Sequence, residues 1–181
     1  MKKIIFFIVF TFILSSCNQL NKESNEVEVL HSDENISTVL NMPHDFGFII
    51  QFGVGKKNEI NTFENTVTKD LISDGTATAN VALTDKELNN IYEKMKEINI
   101  EESKNFIPKP INGSICVMEP HEEDEWEITI NGETITHSIS GAYCDPTKDA
   151  QQLIELRNYV FNIIKSKEEY LVLPASNGSY E

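Results

Sequence analysis

Nowhere does the sequence hold an apolar run long enough to cross a bilayer. A spanning helix needs roughly 20 such residues, and Ile4 to Leu14 gives way at once to Ser15, Ser16, Cys17, Asn18 and Gln19. Positive charge is scarce: 15 lysines and arginines stand against 29 aspartates and glutamates, a formal net charge of -14. Such a surface repels phosphate backbones, which excludes nucleic acid and favours cationic or neutral partners. Cysteine is confined to Cys17, Cys116 and Cys144. Complete catalytic motifs are missing too. There is no G-x-S-x-G elbow and no S-x-x-K pair for a serine hydrolase. "GVGKKN" lacks the first glycine of a phosphate cradle, because Ile50 stands five residues before Gly55. After His121 a zinc protease would need a histidine four residues on, where Glu125 stands instead. No cofactor is implied.

What is present begins with a signal. Lys2 and Lys3 precede the apolar run and small residues follow it, the order of a secretory signal peptide. The residues "LSSC", Leu14 to Cys17, resemble the lipobox of bacterial lipoproteins. By that resemblance residues 1–16 are cleaved and Cys17 becomes the diacylated first residue of the mature chain, on the extracytoplasmic face of the cell membrane. Two acyl chains anchor durably where one binds reversibly, each buried methylene contributing about 0.8 kcal/mol. The plainer alternative is ordinary cleavage near Ser16 with an incidental cysteine. Loss of Lys2 and Lys3 takes the formal charge from -14 to -16, so the domain should stand off anionic headgroups.

Residues 17–44 read as the lipidated cysteine and a flexible tether rich in Asn, Ser, Glu and Lys, about 25 residues reaching roughly 25 to 30 Å. Val27 to Leu30 or Ile36 to Leu40 could instead add an edge strand. Residues 45–181 read as a single domain. In "FGFIIQFGV" the alternate residues Phe46, Phe48, Ile50, Phe52 and Val54 share one face of a strand. A four-residue "GKKN" turn would set Ile50 opposite Phe63 and Phe46 opposite Val67. A three-residue loop over Ser73 to Gly75 would pair the Ala77, Ala79 and Val81 face with Leu71, Lys69 and Val67. "TDKE" at Thr84 to Glu87 is a capping box, and Leu88, Ile91, Tyr92, Met95 and Ile98 then line one helix face. After the Pro-rich "NFIPKPINGS" come a strand at "ICVM" and a tight hairpin at Asn131-Gly132, with Ile128 opposite Ile135 and Trp126 opposite His137.

A second helix is expected with Asp145 as cap, Pro146 in its first turn, and Ala150, Leu153, Ile154, Val160, Phe161 and Ile164 on its buried side. In the tail, Tyr170 to Leu173 reads as an apolar plug. The order βββα-βββα predicts an α+β fold: an antiparallel sheet of about six strands with two helices packed on one face.

Among candidate site residues, Cys116 and Cys144 flank the last strands and could form a disulfide. Alternatives are buried free thiols or a thiol nucleophile with His137 or His121 as base. "HEEDE" offers His121, Glu122, Glu123 and Asp124 as a weak divalent-cation site, against a solvated acidic turn. His137, opposite Trp126, reads as a core or rim histidine rather than a ligand.

The lipobox, the stretch "INTFENTVTKDL", the helix "LTDKELNNIYEKMKEINI" and the terminal "YLVLP" with Tyr180 together resemble a group of small uncharacterised lipoproteins of Bacillus-type Gram-positive bacteria. The resemblance implies a membrane-anchored extracytoplasmic protein and carries over no catalytic residues. The function expected is non-catalytic binding of a protein or cell-envelope component. Competing readings are a small-ligand or divalent-cation carrier, an inhibitor or immunity-type protein capping a basic partner, and, least favoured, a hydrolase.

Overall fold

The computed structural model describes residues 41–181, so Cys17, the expected signal and residues 17–40 of the expected tether, with its two candidate edge strands, lie outside the described residues. The last residues assigned to the tether belong instead to the domain: the Asn41 and Met42 amides donate to Asn89 Oδ1 at 2.8 and 3.3 Å, and Met42 packs against the core. Six strands form one antiparallel sheet: β1 (Gly47–Gly53), β2 (Asn58–Asn61), β3 (Thr66–Asp70), β4 (Thr76–Asn80), β5 (Glu123–Ile130) and β6 (Glu133–Ser140). Helix α1 (Asp85–Glu97) follows β4, while α2 (Lys148–Lys165) and the single turn α3 (Glu168–Leu171) follow β6. Strand order is β4-β3-β2-β1-β5-β6. The α+β class and strand number agree with the sequence reading, but the strands divide four and two around α1. The order is therefore ββββα-ββαα rather than the expected βββα-βββα.

Alternation explains which face is covered. Phe48, Ile50 and Phe52 of β1, Trp126, Ile128 and Ile130 of β5, Ile60, Val67 and Ile139 all turn to one side. There they form a single core with Ile91 and Met95 of α1 and Leu153, Leu156, Val160 and Ile164 of α2. Burying side chains of this size contributes about 1.5–3 kcal/mol each.

The Asn131-Gly132 hairpin has the expected register, Ile128 opposite Ile135 and Trp126 opposite His137. Asn131 and Gly132 have φ of 52° and 80°, and both amides donate to the Asp45 carboxylate at 3.2 and 2.5 Å. Such a turn demands left-handed backbone at both positions.

Two other registers differ. Ile50 faces Ile60 rather than Phe63, because the turn runs through Gly53 and a 3₁₀ turn at Val54–Lys56. The chain then reverses again: Asn61 Oδ1 accepts the Phe63 and Glu64 amides, both at 3.1 Å, leaving Phe63 exposed at the bend. One expected strand thus becomes β2 and β3. Across the next turn Val67 faces Ala79 and Lys69 faces Ala77, two residues from the expected pairing yet on the same face.

Two further expectations need correction. "ICVM" contributes only an isolated bridge between Val117 and Tyr143, not a strand. The cap of α2 is Thr147, whose hydroxyl accepts the Ala150 amide, rather than Asp145. In the tail Tyr170 is buried, but Leu171 and Val172 are exposed. Beyond them Asn177 bridges to Ile72, and the Tyr180 hydroxyl donates to Asp70 at 2.5 Å.

The capping box on α1 forms as expected and acquires a long-range partner. The Glu87 carboxylate accepts the Thr84 amide at 2.8 Å and Lys167 Nζ at 2.7 Å. Burial by itself would push the Glu87 carboxyl up, but the Lys167 ammonium and the Thr84 donors outweigh it and hold it below its ordinary value. Such a group stabilises the fold above the ordinary glutamate pKa, and that contribution is lost as pH falls through the depressed value. Urea unfolding from pH 7 down to pH 3 should therefore show a steeper acid loss for the native chain than for Glu87→Gln. Equal slopes would refute this role for Glu87.

Candidate functional site

Strand β5 alternates through Asp124, Trp126, Ile128 and Ile130 on its inward face, so Asp124 is carried inside with the apolar residues and is 3% exposed. Isolated burial of a carboxylate is costly. Its partner comes from α2, where Arg157 lies one turn beyond the buried Leu153. Arg157 Nε donates to Asp124 Oδ2 at 3.1 Å and Nη2 donates to Glu122 Oε2 at 2.8 Å. The guanidinium lies 5.3 Å from the Phe52 ring centroid and its side chain is only 11% exposed. Burial raises the Asp124 carboxyl above the usual aspartate range; Arg157 opposes that shift and only partly offsets it.

These charges form part of the lining of an open cleft of about 290 Å³, together with Met118, Pro120, His121, Ile139, Gly141 and Ile154. Gly141 is required by close approach. Its amide donates to the Glu122 carbonyl at 2.8 Å, and a Cβ would stand 2.7 Å from that oxygen. On the rim His121 Nδ1 is 3.0 Å from Glu119 Oε2.

Beside the cleft runs a loop whose composition is unusual for a surface. Ile107, Ile111, Val117 and Met118 are exposed by 61%, 69%, 63% and 47%. Single exposed apolar residues are ordinary, whereas here four fall within one segment, Ile107 to Met118. The loop is tied at both ends. The Asn105 amide donates to Asp149 and its carbonyl accepts the Thr147 hydroxyl, at 2.8 and 2.7 Å. At the other end Cys116 and Cys144 form a disulfide with Cα atoms 5.4 Å apart, flanked by the Cys144 amide donating to the Cys116 carbonyl. A second shallow cleft, about 280 Å³, lies along this loop at Pro108, Ile111, Ile115 and Cys116.

The residues singled out from sequence fare differently. Cys116 and Cys144 are joined, so neither is a free thiol in this structure. His137 is buried, with Nε2 2.8 Å from the Ile100 carbonyl and Phe106 edge-on to its ring. His121, Glu122, Glu123 and Asp124 do not converge as a cation cradle, because the pleat turns Glu123 away from Asp124 and Arg157 holds both Glu122 and Asp124. Among the described residues no group of three or more His, Cys, Asp or Glu side chains is placed to share a metal ion.

Arg157 was not foreseen. Two signals pointed to it: it is the one arginine among 15 basic residues, and its spacing from Leu153 and Val160 sets it beside the buried stripe of α2. Asp124 was legible by the same means, as it shares the parity of Trp126, Ile128 and Ile130.

The model of the prokaryotic membrane lipoprotein lipid attachment site matches residues 1–18, a span whose one cysteine is Cys17. The match supports a bacterial lipoprotein anchored to a membrane. Among curated proteins and among solved structures, nothing matches the chain.

Removing Arg157 alone strands a buried carboxylate. Arg157→Met should destabilise the domain by about 3–5 kcal/mol, with much of the loss recovered when Asp124→Asn is added. Because the Asp124 pKa is raised on folding, stability should fall as pH rises from the ordinary aspartate value through the raised one, and more steeply in Arg157→Met. Additive losses in a double-mutant cycle, measured by urea unfolding, would show that the pair is uncoupled.

Proposed function

We propose that the chain is a lipid-anchored binding module on the extracytoplasmic face of the cell membrane, acting on a protein partner of the envelope without catalysis. Cys17 is the lipidated residue in this reading. One observation carries it: the exposed Ile107, Ile111, Val117 and Met118 sit on a segment clamped by the Cys116–Cys144 disulfide rather than on a loose tail. Clamping orders the loop before contact, which removes entropy that binding would otherwise cost. The ring the disulfide itself closes is the 28-residue span from Cys116 to Cys144 that carries β5 and β6, and closing it stabilises the fold by about 3.5 kcal/mol through the unfolded state.

The acidic balance gives the partner a sign. A formal charge of -14 for the full sequence, -16 once Lys2 and Lys3 leave with the signal, favours a basic surface, in the manner of an inhibitor or immunity-type protein capping a cationic protein. The carrier reading keeps the Arg157 cleft as its one support, and a hydrolase would have to draw on the same concavity.

The test compares the native lipoprotein with Ile111→Ser/Val117→Ser by photo-crosslinking in intact envelopes, with a probe placed at Lys109. Both chains should be equally stable and oxidised, and the double variant should lose its crosslinked species. An unchanged crosslink pattern removes the loop from the contact. Turnover of a substrate, abolished by a point change that leaves the fold intact, would replace binding with catalysis.

A further inference from the structure

We propose that the Arg157 cleft receives a lysine or arginine side chain of a basic protein partner. This rests on the binding-module reading and names the chemistry of its occupant. Glu119, Glu122 and Asp124 bring three carboxylates to the cleft and its rim against the single guanidinium of Arg157, a formal charge of -2 when His121 is neutral. A ligand carboxylate would meet that excess and would have to displace Glu122 from Arg157. A cation meets no such obstacle.

Glu122 is the adaptable member. Its side chain is 56% exposed, and it spends one oxygen, Oε2, on Arg157 while its other oxygen can accept from an incoming ammonium or guanidinium. Asp124 is not available for that role, since it is buried and engaged by Arg157 Nε. The walls supply the rest. Met118, Pro120, Ile139 and Ile154 are apolar, and a lysine or arginine lays its methylene stem on such surface while keeping its charge at the polar rim. Met118 belongs both to this wall and to the exposed apolar loop, and Val117 beside it is 63% exposed. A basic side chain flanked by apolar neighbours would therefore fill the cleft and cover the loop in one contact.

The experiment uses the full chain in detergent micelles, labelled at the methyl groups of methionine and isoleucine. Three probes are titrated: the blocked tripeptides leucyl-lysyl-leucine, leucyl-norleucyl-leucine and leucyl-glutamyl-leucine. The lysine peptide should shift the methyl signals of Met118, Ile139 and Ile154, and Glu122→Gln should weaken it about fivefold without altering the unfolding midpoint. Equal binding of the norleucine peptide overturns recognition of charge. Tighter binding of the glutamate peptide overturns the sign and makes the cleft a carboxylate site on Arg157. Shifts at Ile107 and Ile111 with none at Ile139 or Ile154 overturn the cleft while sparing the loop as a binding surface. If no peptide shifts either set, the cleft proposal fails; the binding-module reading fails separately, through an unchanged crosslink pattern in Ile111→Ser/Val117→Ser.

Discussion

The antiparallel pairing of β1 with β5 is the joint on which the rest of the molecule depends. It runs from Gly47 opposite Thr129 to Gly53 opposite Glu123 and is the one place in the sheet where the N-terminal meander meets the C-terminal hairpin. Every other strand pair closes within a short loop. The register of this long-range pair sets Phe48 beside Ile128, Ile50 beside Trp126 and Phe52 beside Asp124. Slipping it by one residue would turn the aromatic face to water and the glutamates inward. It also places Asp124 near the open end of the core, next to Phe52, where Arg157 reaches it from α2.

Local order was legible because it was written in local terms. Asn131-Gly132 specified a two-residue turn, and with it the whole register of β5 and β6 followed. Thr84 and Glu87 announced the start of α1 by reciprocal capping. Reading failed where a side chain, rather than a backbone preference, turned the chain. Asn61 caps its own bend through Oδ1, and nothing in the alternation of "EINTFENTV" separates that bend from a continuous strand. Thr147 outcompeted Asp145 as cap of α2 because it also donates to the Asn105 carbonyl, a contact 42 residues distant in sequence.

The charged site shows the same limit from the other side. Parity alone assigns Asp124 to the inward face, and helical spacing alone puts Arg157 near the inward face of α2. Their meeting, however, depends on β5 and α2 packing in one core, information no short window contains. The acidic run "HEEDE" consequently looks uniform in sequence and is divided in space: the strand pleat sends Glu123 and Glu125 to the uncovered face, where Lys56 Nζ bonds Glu125 at 2.5 Å, and Asp124 to the covered one. Composition is blind to that division.

The disulfide-bearing loop is fixed to the domain through Asn105, Phe106 and Cys116, yet its exposed apolar side chains take no part in that attachment. Ile107, Ile111 and Val117 stand outside the core cluster and leave most of their surface in water, so burial gives folding little from them. Exposing them promotes association, a tendency that strong net negative charge opposes by self-repulsion between copies. That same repulsion does not act against a basic surface. Under the proposed binding role, an apolar contact set in an acidic domain would be shielded from its own kind and open to a cationic partner, with the disulfide fixing one end of the loop.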